Sequence, residues 1–129
     1  MTRFVLASAS PGRRKVLRQA GIDPARITLD PGFGFGKTPD HNLRLLGQLP
    51  ALAKAGLPLL VGLSRKSTLG AILGGRPPLQ RVAASIAAAV CAAERGAYIV
   101  RVHDVQDTVD ALKTWWAVRN ETVTAVEQQ

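Results

Sequence analysis

The sequence predicts an α/β protein of four βα units with parallel strands. Short apolar runs alternate with helix-like segments four times over 129 residues. Strands that alternate with helices are joined by crossovers, and crossovers make neighbouring strands parallel. The runs end in polar or ionisable groups in one strand phase and apolar groups in the other. The chain is 47% hydrophobic but only 5% aromatic, so its core is expected to be aliphatic. Four such units make half of an eight-unit barrel, or a small open α/β sheet.

The first unit pairs a strand over residues 3–7 with a helix over 11–20, closed by Gly21. Glycine is favoured just past a helix end because it adopts the left-handed conformation without cost. The second strand is expected over 26–30 and leads into a glycine-rich loop. A helix over 39–55 follows, with Thr38 as N-cap, Pro39 at its first position and Gly56 past its end. Residues 59–63 form the third apolar run, followed by the polar segment Ser64, Arg65, Lys66 and Ser67. A long Ala-rich helix over 79–95 ends at Gly96. The fourth strand is expected over 98–102, and an amphipathic helix over 105–118. Residues 121–129 show no pattern and read as a frayed tail.

In a strand, residues i and i+2 share a face. Thr28 and Asp30 then face opposite to Ile27 and Leu29. Gly62, Ser64 and Lys66 share a face if the extended conformation continues past Leu63. Ile99, Arg101 and His103 share one opposite Tyr98, Val100 and Val102. Ligand sites of α/β proteins lie at the C-terminal ends of parallel strands. A carboxylate, a lysine, an arginine and a histidine converging there suit a heterocycle plus an anion. The alternative is that these are ordinary strand-end polar groups meeting water.

Composition narrows the partners. The net charge is +8, from 17 Lys and Arg against 9 Asp and Glu. Nucleic-acid binding clusters such charge on one face, with stacking aromatics for single strands. The only dense run is Arg13, Arg14, Lys15 and Arg18, without aromatics, so phosphorylated small molecules fit better. Cys91, the single cysteine, lies in the Ala-rich helix and is expected to be a buried thiol, compatible with a reducing cytoplasm. No segment approaches the roughly 18 consecutive apolar residues of a membrane span. Residues 1–9 carry no signal-peptide pattern.

The loop LDPGFGFGK at 29–37 is neither of two phosphate-binding motifs it resembles superficially. A P-loop needs glycine where Pro31 stands, and Gly32, Gly34 and Gly36 give G-x-G-x-G rather than G-x-G-x-x-G. Three glycines still allow backbone to approach a flat ligand closely. Together with GLSRKS at 62–67 and RVHDV at 101–105, this loop resembles three signature segments of dihydropteroate synthases, in that family's order and spacing. The resemblance covers residues 25–118 and implies the C-terminal half of a (β/α)₈, or TIM, barrel, at its sixth to eighth strands.

It also implies roles. Asp30 would accept hydrogen bonds from the amino-pyrimidinone edge of a pterin, and Lys66 would lie against the ring and donate to its carbonyl. Gly34 and Phe35 would shape the loop beside the ring, and Ser64 would sit near p-aminobenzoate. Arg101 and His103 would hold the diphosphate leaving group, with Arg101 and Lys66 as the catalytic pair. The substrates implied are 6-hydroxymethyl-7,8-dihydropterin diphosphate and p-aminobenzoate, in the cytoplasm, with Mg²⁺. The asparagine that would serve that metal belongs to the N-terminal half of the family's barrel, as do two mobile loops, and no match to that half is found here. Arg65 is out of phase with Lys66 and is expected to pair with a carboxylate, His41 to face solvent, and Asp104 to cap the last helix.

The head reads differently. Residues 4–11 (FVLASASP) with Arg13 resemble the opening of the Maf nucleotide pyrophosphatases, a strand, Ser-rich turn and helix start that suits an anion. This divides the chain into 1–24, 25–120 and a tail over 121–129, an apparent chimera. A half-barrel exposes two sheet edges and apolar surface, which invites a second copy or a complementary half-barrel. The readings to separate are therefore a synthase-type transferase, a non-catalytic assembly module, a Maf-type pyrophosphatase and a nucleic-acid binder.

Overall fold

The computed structural model describes residues 4–6 and 11–124. The Ser-rich turn of the Maf-like head and the last residues of the tail lie outside them. Four parallel strands stand in sequence order: β1 (Phe4–Leu6), β2 (Ile27–Leu29), β3 (Leu59–Val61) and β4 (Ala97–Val100). Between and after them run α1 (Pro11–Gln19), α2 (Pro39–Gly47), α3 (Leu49–Ala53), α4 (Ser67–Ile72), α5 (Val82–Glu94) and α6 (Val105–Asn120). The result is the expected partial barrel.

The aliphatic core follows from the strand phase. Ile27, Leu29, Leu59, Val61 and Leu63 join Leu49, Ala88 and Ala92 in one buried cluster, with Leu45, Leu46 and Leu52 packed against it. On α5 the buried residues are Ser85, Ala88, Ala89 and Ala92. That i, i+3, i+4, i+7 spacing is one helix face, and its small side chains let the helix lie close to the sheet.

The opposite phase of β2 holds Thr28, 1% exposed, whose hydroxyl finds no hydrogen-bond partner among the described residues. A buried hydroxyl without a partner costs free energy that an isosteric methyl does not. Thr28→Val is therefore expected to raise stability by about 1 kcal/mol, read as an increased urea midpoint with unchanged slope.

Four expectations need correction. The helix expected over 39–55 is two helices, because Pro50 lacks the N–H that would continue the ladder and its ring crowds the preceding turn. The long helix expected over 79–95 begins only at Val82, after a 3₁₀ turn at Pro78–Gln80. Extended backbone does not continue past Leu63. The chain turns, with Lys66 N–H donating to the Leu63 carbonyl at 3.2 Å, and α4 follows unforeseen. Cys91 is exposed, not buried, because it falls beside the Ala stripe rather than on it. No helix among the described residues is long and apolar enough to cross a membrane.

Candidate active site at the strand ends

The glycine-rich loop is anchored at one end and free at the other. Phe33 is fully buried in the core, whereas Phe35 is 69% exposed. Asp30, buried at the end of β2, accepts the Gly32 N–H at 2.8 Å through Oδ1, a local turn that suits aspartate. Lys37 Nζ donates to the carbonyls of Gly32 at 2.9 Å and Phe35 at 3.2 Å. The loop needs its glycines: Gly32 and Gly34 have φ of 75° and 84°, where a side chain would be strained.

Lys66 reaches this loop from the turn after β3. Its Nζ donates to the Phe33 carbonyl at 2.5 Å and stands 5.2 Å from the centroid of the Phe35 ring. Its stem crosses Gly34 so closely that a Cβ there would lie 3.2 Å from Lys66 Cδ. Burial holds the Lys66 pKa below its ordinary 10.5, and the positive charges of Arg101 and Lys37 act in the same sense, while Asp30 opposes them.

Arg101 follows β4, its N–H donating to the Val61 carbonyl at 2.9 Å. Its guanidinium lies over Gly62, where a Cβ would stand 3.1 Å from Nη2 and 3.3 Å from Nε. Next to it, Ser64 Oγ accepts the His103 N–H at 3.2 Å and shares a 2.9 Å hydrogen bond with His103 Nδ1. The arrangement therefore joins Asp30, Gly34, Phe35, Lys66 and Arg101 around the loop, with Ser64 and His103 as a pair at the ends of β3 and β4. Lys66, Arg101 and Lys37 against Asp30 leave an excess of positive charge that suits an anionic ligand. Gly34, Phe35, Arg101 and His103 are exposed, so the cluster is open to solvent. The 630 Å³ cavity lined by Val90, Glu94, Trp115 and Arg119 lies between α5 and α6, away from it.

Three expectations about its surroundings differ in outcome. Arg65 does pair with a carboxylate: Nη2 and Nε donate to Asp104 Oδ1 and Oδ2 at 2.9 and 3.3 Å. Asp104 does occupy the N-cap position of α6, but its side chain makes no cap bond because Arg65 holds it. His41 is solvent-facing, its N–H donating to Thr38 Oγ1 at 3.2 Å.

One residue of the site was not anticipated. Asn42, 1% exposed, accepts the Gly34 N–H through Oδ1 at 2.9 Å and donates through Nδ2 to Thr68 Oγ1 at 2.8 Å. It thus ties the glycine-rich loop to α4. Among the described residues, no group of three or more His, Cys, Asp or Glu side chains could hold a metal ion.

Comparison with known proteins gives the same direction. A family model described as pterin binding enzyme matches residues 6–103, which takes in β2, β3, β4 and the end of the first strand. A dihydropteroate synthase of Neisseria meningitidis serogroup C is 57% identical over 100 residues, covering 77% of this chain and 35% of that protein. Among solved structures, a dihydropteroate synthase from Xanthomonas albilineans with 4-aminobenzoic acid has a TM-score of 0.81 at 52% identity, covering 84% of this chain and 41% of that one. One from Burkholderia cenocepacia, complexed with 7,8-dihydropteroate, has a TM-score of 0.81 at 56% identity, covering 92% and 43%. The chain spans about a third of the length of the curated relatives it matches.

Proposed function

This chain belongs to the pterin-binding enzyme family, and on that premise we propose that its strand ends bind a pterin diphosphate as part of a dihydropteroate synthase site. The observation that carries the proposal is the position of Lys66. It is bonded to the loop that follows Asp30 and feels the charges of both Asp30 and Arg101, so groups from three strand ends lie within electrostatic reach of one another. Asp30 accepts from the amino-pyrimidinone edge, with Oδ2 free of the turn that engages Oδ1. Lys66 donates to the ring carbonyl, and Gly34 and Phe35 border the ring. Arg101 and His103 take the diphosphate, and Ser64 borders the p-aminobenzoate. In the reaction proposed, the arylamine nitrogen attacks the pterin's methylene carbon. The C–N bond forms as the C–O bond to diphosphate breaks, and the nitrogen loses a proton. Arg101 lowers the barrier by neutralising charge on the departing anion.

Magnesium does not fit the residues described. Among them no three or more His, Cys, Asp or Glu side chains group together, so no step is assigned to a metal. A reducing cytoplasm is the proposed location. The division into 1–24, 25–120 and tail stays a proposal beside a family match that runs over residues 6–103. That match favours a single pterin-binding origin for the head over a Maf-type unit.

The test is calorimetric titration with 6-hydroxymethyl-7,8-dihydropterin diphosphate. Saturable binding is expected, and its absence in a folded chain would overturn the reading. Inorganic diphosphate separates the anion subsite: Arg101→Ala is expected to weaken it by about tenfold or more. Gly62→Ala, whose Cβ would push the guanidinium by a few tenths of an ångström, is expected to weaken it by only about threefold. A second reading has its own observation. Tyr98 and Ile99, on edge strand β4, are 78% and 38% exposed, which favours pairing with a second copy or a complementary half-barrel. Sedimentation would show this as a dimer whose weight falls for Tyr98→Lys.

A further inference from the structure

We propose that Arg81 and Ser85, at the start of α5, are positioning residues that lock Arg65 in a left-handed conformation and so aim Lys66 at the glycine-rich loop and Ser64 at His103. What this aim does for a pterin rests on the function proposed above. The geometry of the aim does not.

Arg65 has φ of 58°, one of two described residues other than glycine with positive φ. Side chains disfavour this region because Cβ crowds the following carbonyl, and such outliers persist only where the surroundings over-determine them. Here they do. The Arg65 N–H donates to Ser85 Oγ at 2.9 Å. The Arg65 carbonyl accepts from Arg81 Nη1 at 2.9 Å. Its guanidinium is forked onto Asp104. Both main-chain groups and the side chain are thus fixed by three residues distant in sequence.

The two holders are themselves held. Ser85 is 3% exposed and its hydroxyl donates to the Arg81 carbonyl at 2.6 Å, which leaves a lone pair for the Arg65 N–H. Arg81 Nε donates to the Arg76 carbonyl at 2.6 Å. Its guanidinium lies against Gly70 so tightly that a Cβ there would stand 2.5 Å from Nη2. None of these contacts reaches Asp30, Lys66 or Arg101. The effect passes through Arg65, whose neighbours on either side are Ser64 and Lys66. If Arg65 relaxed into an ordinary region, the chain direction at Lys66 would change and Nζ would leave the Phe33 carbonyl.

Lysine ¹³Cε signals followed through a pH titration read the aim directly, with Lys66 assigned by Lys66→Arg. In the unmutated chain Lys66 is expected to titrate below the ordinary lysine range. Ser85→Ala and Arg81→Gln should each move that midpoint up towards the ordinary range with unchanged far-ultraviolet circular dichroism. Each should also weaken pterin diphosphate binding by about tenfold. Ser85→Thr, which keeps the hydroxyl, should restore both. In an Arg65→Gly background, where the left-handed conformation carries no strain, Ser85→Ala should lose most of its effect. The proposal is overturned if folded Ser85→Ala and Arg81→Gln leave the Lys66 titration unmoved, or if the Ser85→Ala effect persists undiminished in the Arg65→Gly background. Should Ser85→Ala not fold, half-buried Arg81 gives the decisive variant. A chain that binds no pterin would refute the functional reading while the Lys66 titration still judged the clamp.

Discussion

Lys66→Ala is expected to weaken binding of the pterin diphosphate by about a hundredfold, the scale of a lost charge-assisted hydrogen bond that leaves its acceptor unmatched. Three contacts disappear together: the Phe33 carbonyl loses its donor, the Phe35 ring loses its cation, and the excess positive charge facing the diphosphate falls. Fold stability should move the other way. A lysine whose folded pKa lies below its unfolded 10.5 binds fewer protons in the folded chain. Between the two values the unfolded chain holds the extra proton, so stability rises with pH there. The cost of keeping Lys66 charged is present at neutral pH and relieved as pH climbs through 10.5. Lys66→Met should remove that slope, and urea midpoints measured from neutral pH to pH 11 would show it. Ligand affinity should fall over the same climb, since neutral Lys66 is the weaker donor. An affinity that is flat with pH and indifferent to Lys66→Ala would remove Lys66 from the site.

Asn42→Ala is expected to destabilise the fold by about 3 kcal/mol, from a buried side chain removed together with two hydrogen bonds. The Gly34 N–H and Thr68 Oγ1 would each lose a partner in a place water does not reach easily. The damage should not be uniform. This amide ties the loop between Asp30 and α2 to α4, so amide exchange at Gly34 and Phe35 should accelerate more than exchange in β2. Asn42→Asp is the sharper control, because it keeps the acceptor for Gly34 but cannot donate to Thr68 when ionised. It should protect the loop better than alanine while still costing stability. Equal exchange rates across loop and strand in Asn42→Ala would show that the amide is only a packing element.

Much of this arrangement was legible in the sequence. Strand phase placed Ile27 and Leu29 in the core and put Asp30 on the other side, because a period of two leaves no other choice. Spacing of the glycines excluded two nucleotide motifs and left a loop able to approach a flat ring. Thr38 and Pro39 start α2 where their chemistry says they should. Phase failed at Lys66, because it assumes extended backbone and Arg65 turns the chain instead. No local propensity announces that turn, since arginine has no preference for positive φ. Its causes, Ser85, Arg81 and Asp104, lie far along the chain.

Asn42 and Ser85 share a signal that could have found them. Asn42 with Leu45, Leu46 and Leu49, and Ser85 with Ala88, Ala89 and Ala92, both follow the i, i+3, i+4, i+7 spacing. Each puts one polar residue at the head of an otherwise apolar stripe. A polar side chain on a core-facing stripe must find a partner there, and in both cases the partner is backbone of a loop carrying the site. The helix break at Pro50 was equally readable, since proline inside a helical pattern ends it. The exposure of Cys91 was readable too: it is out of step with that stripe.

The most direct measurement is the chemical-shift footprint of 6-hydroxymethyl-7,8-dihydropterin diphosphate on the ¹⁵N-labelled chain. Saturable shifts at Asp30, Gly34, Phe35, Lys66 and Arg101, the residues that surround the loop, are the expected result. A footprint confined to the cavity between α5 and α6, or none on a folded chain, would contradict a pterin site at the strand ends.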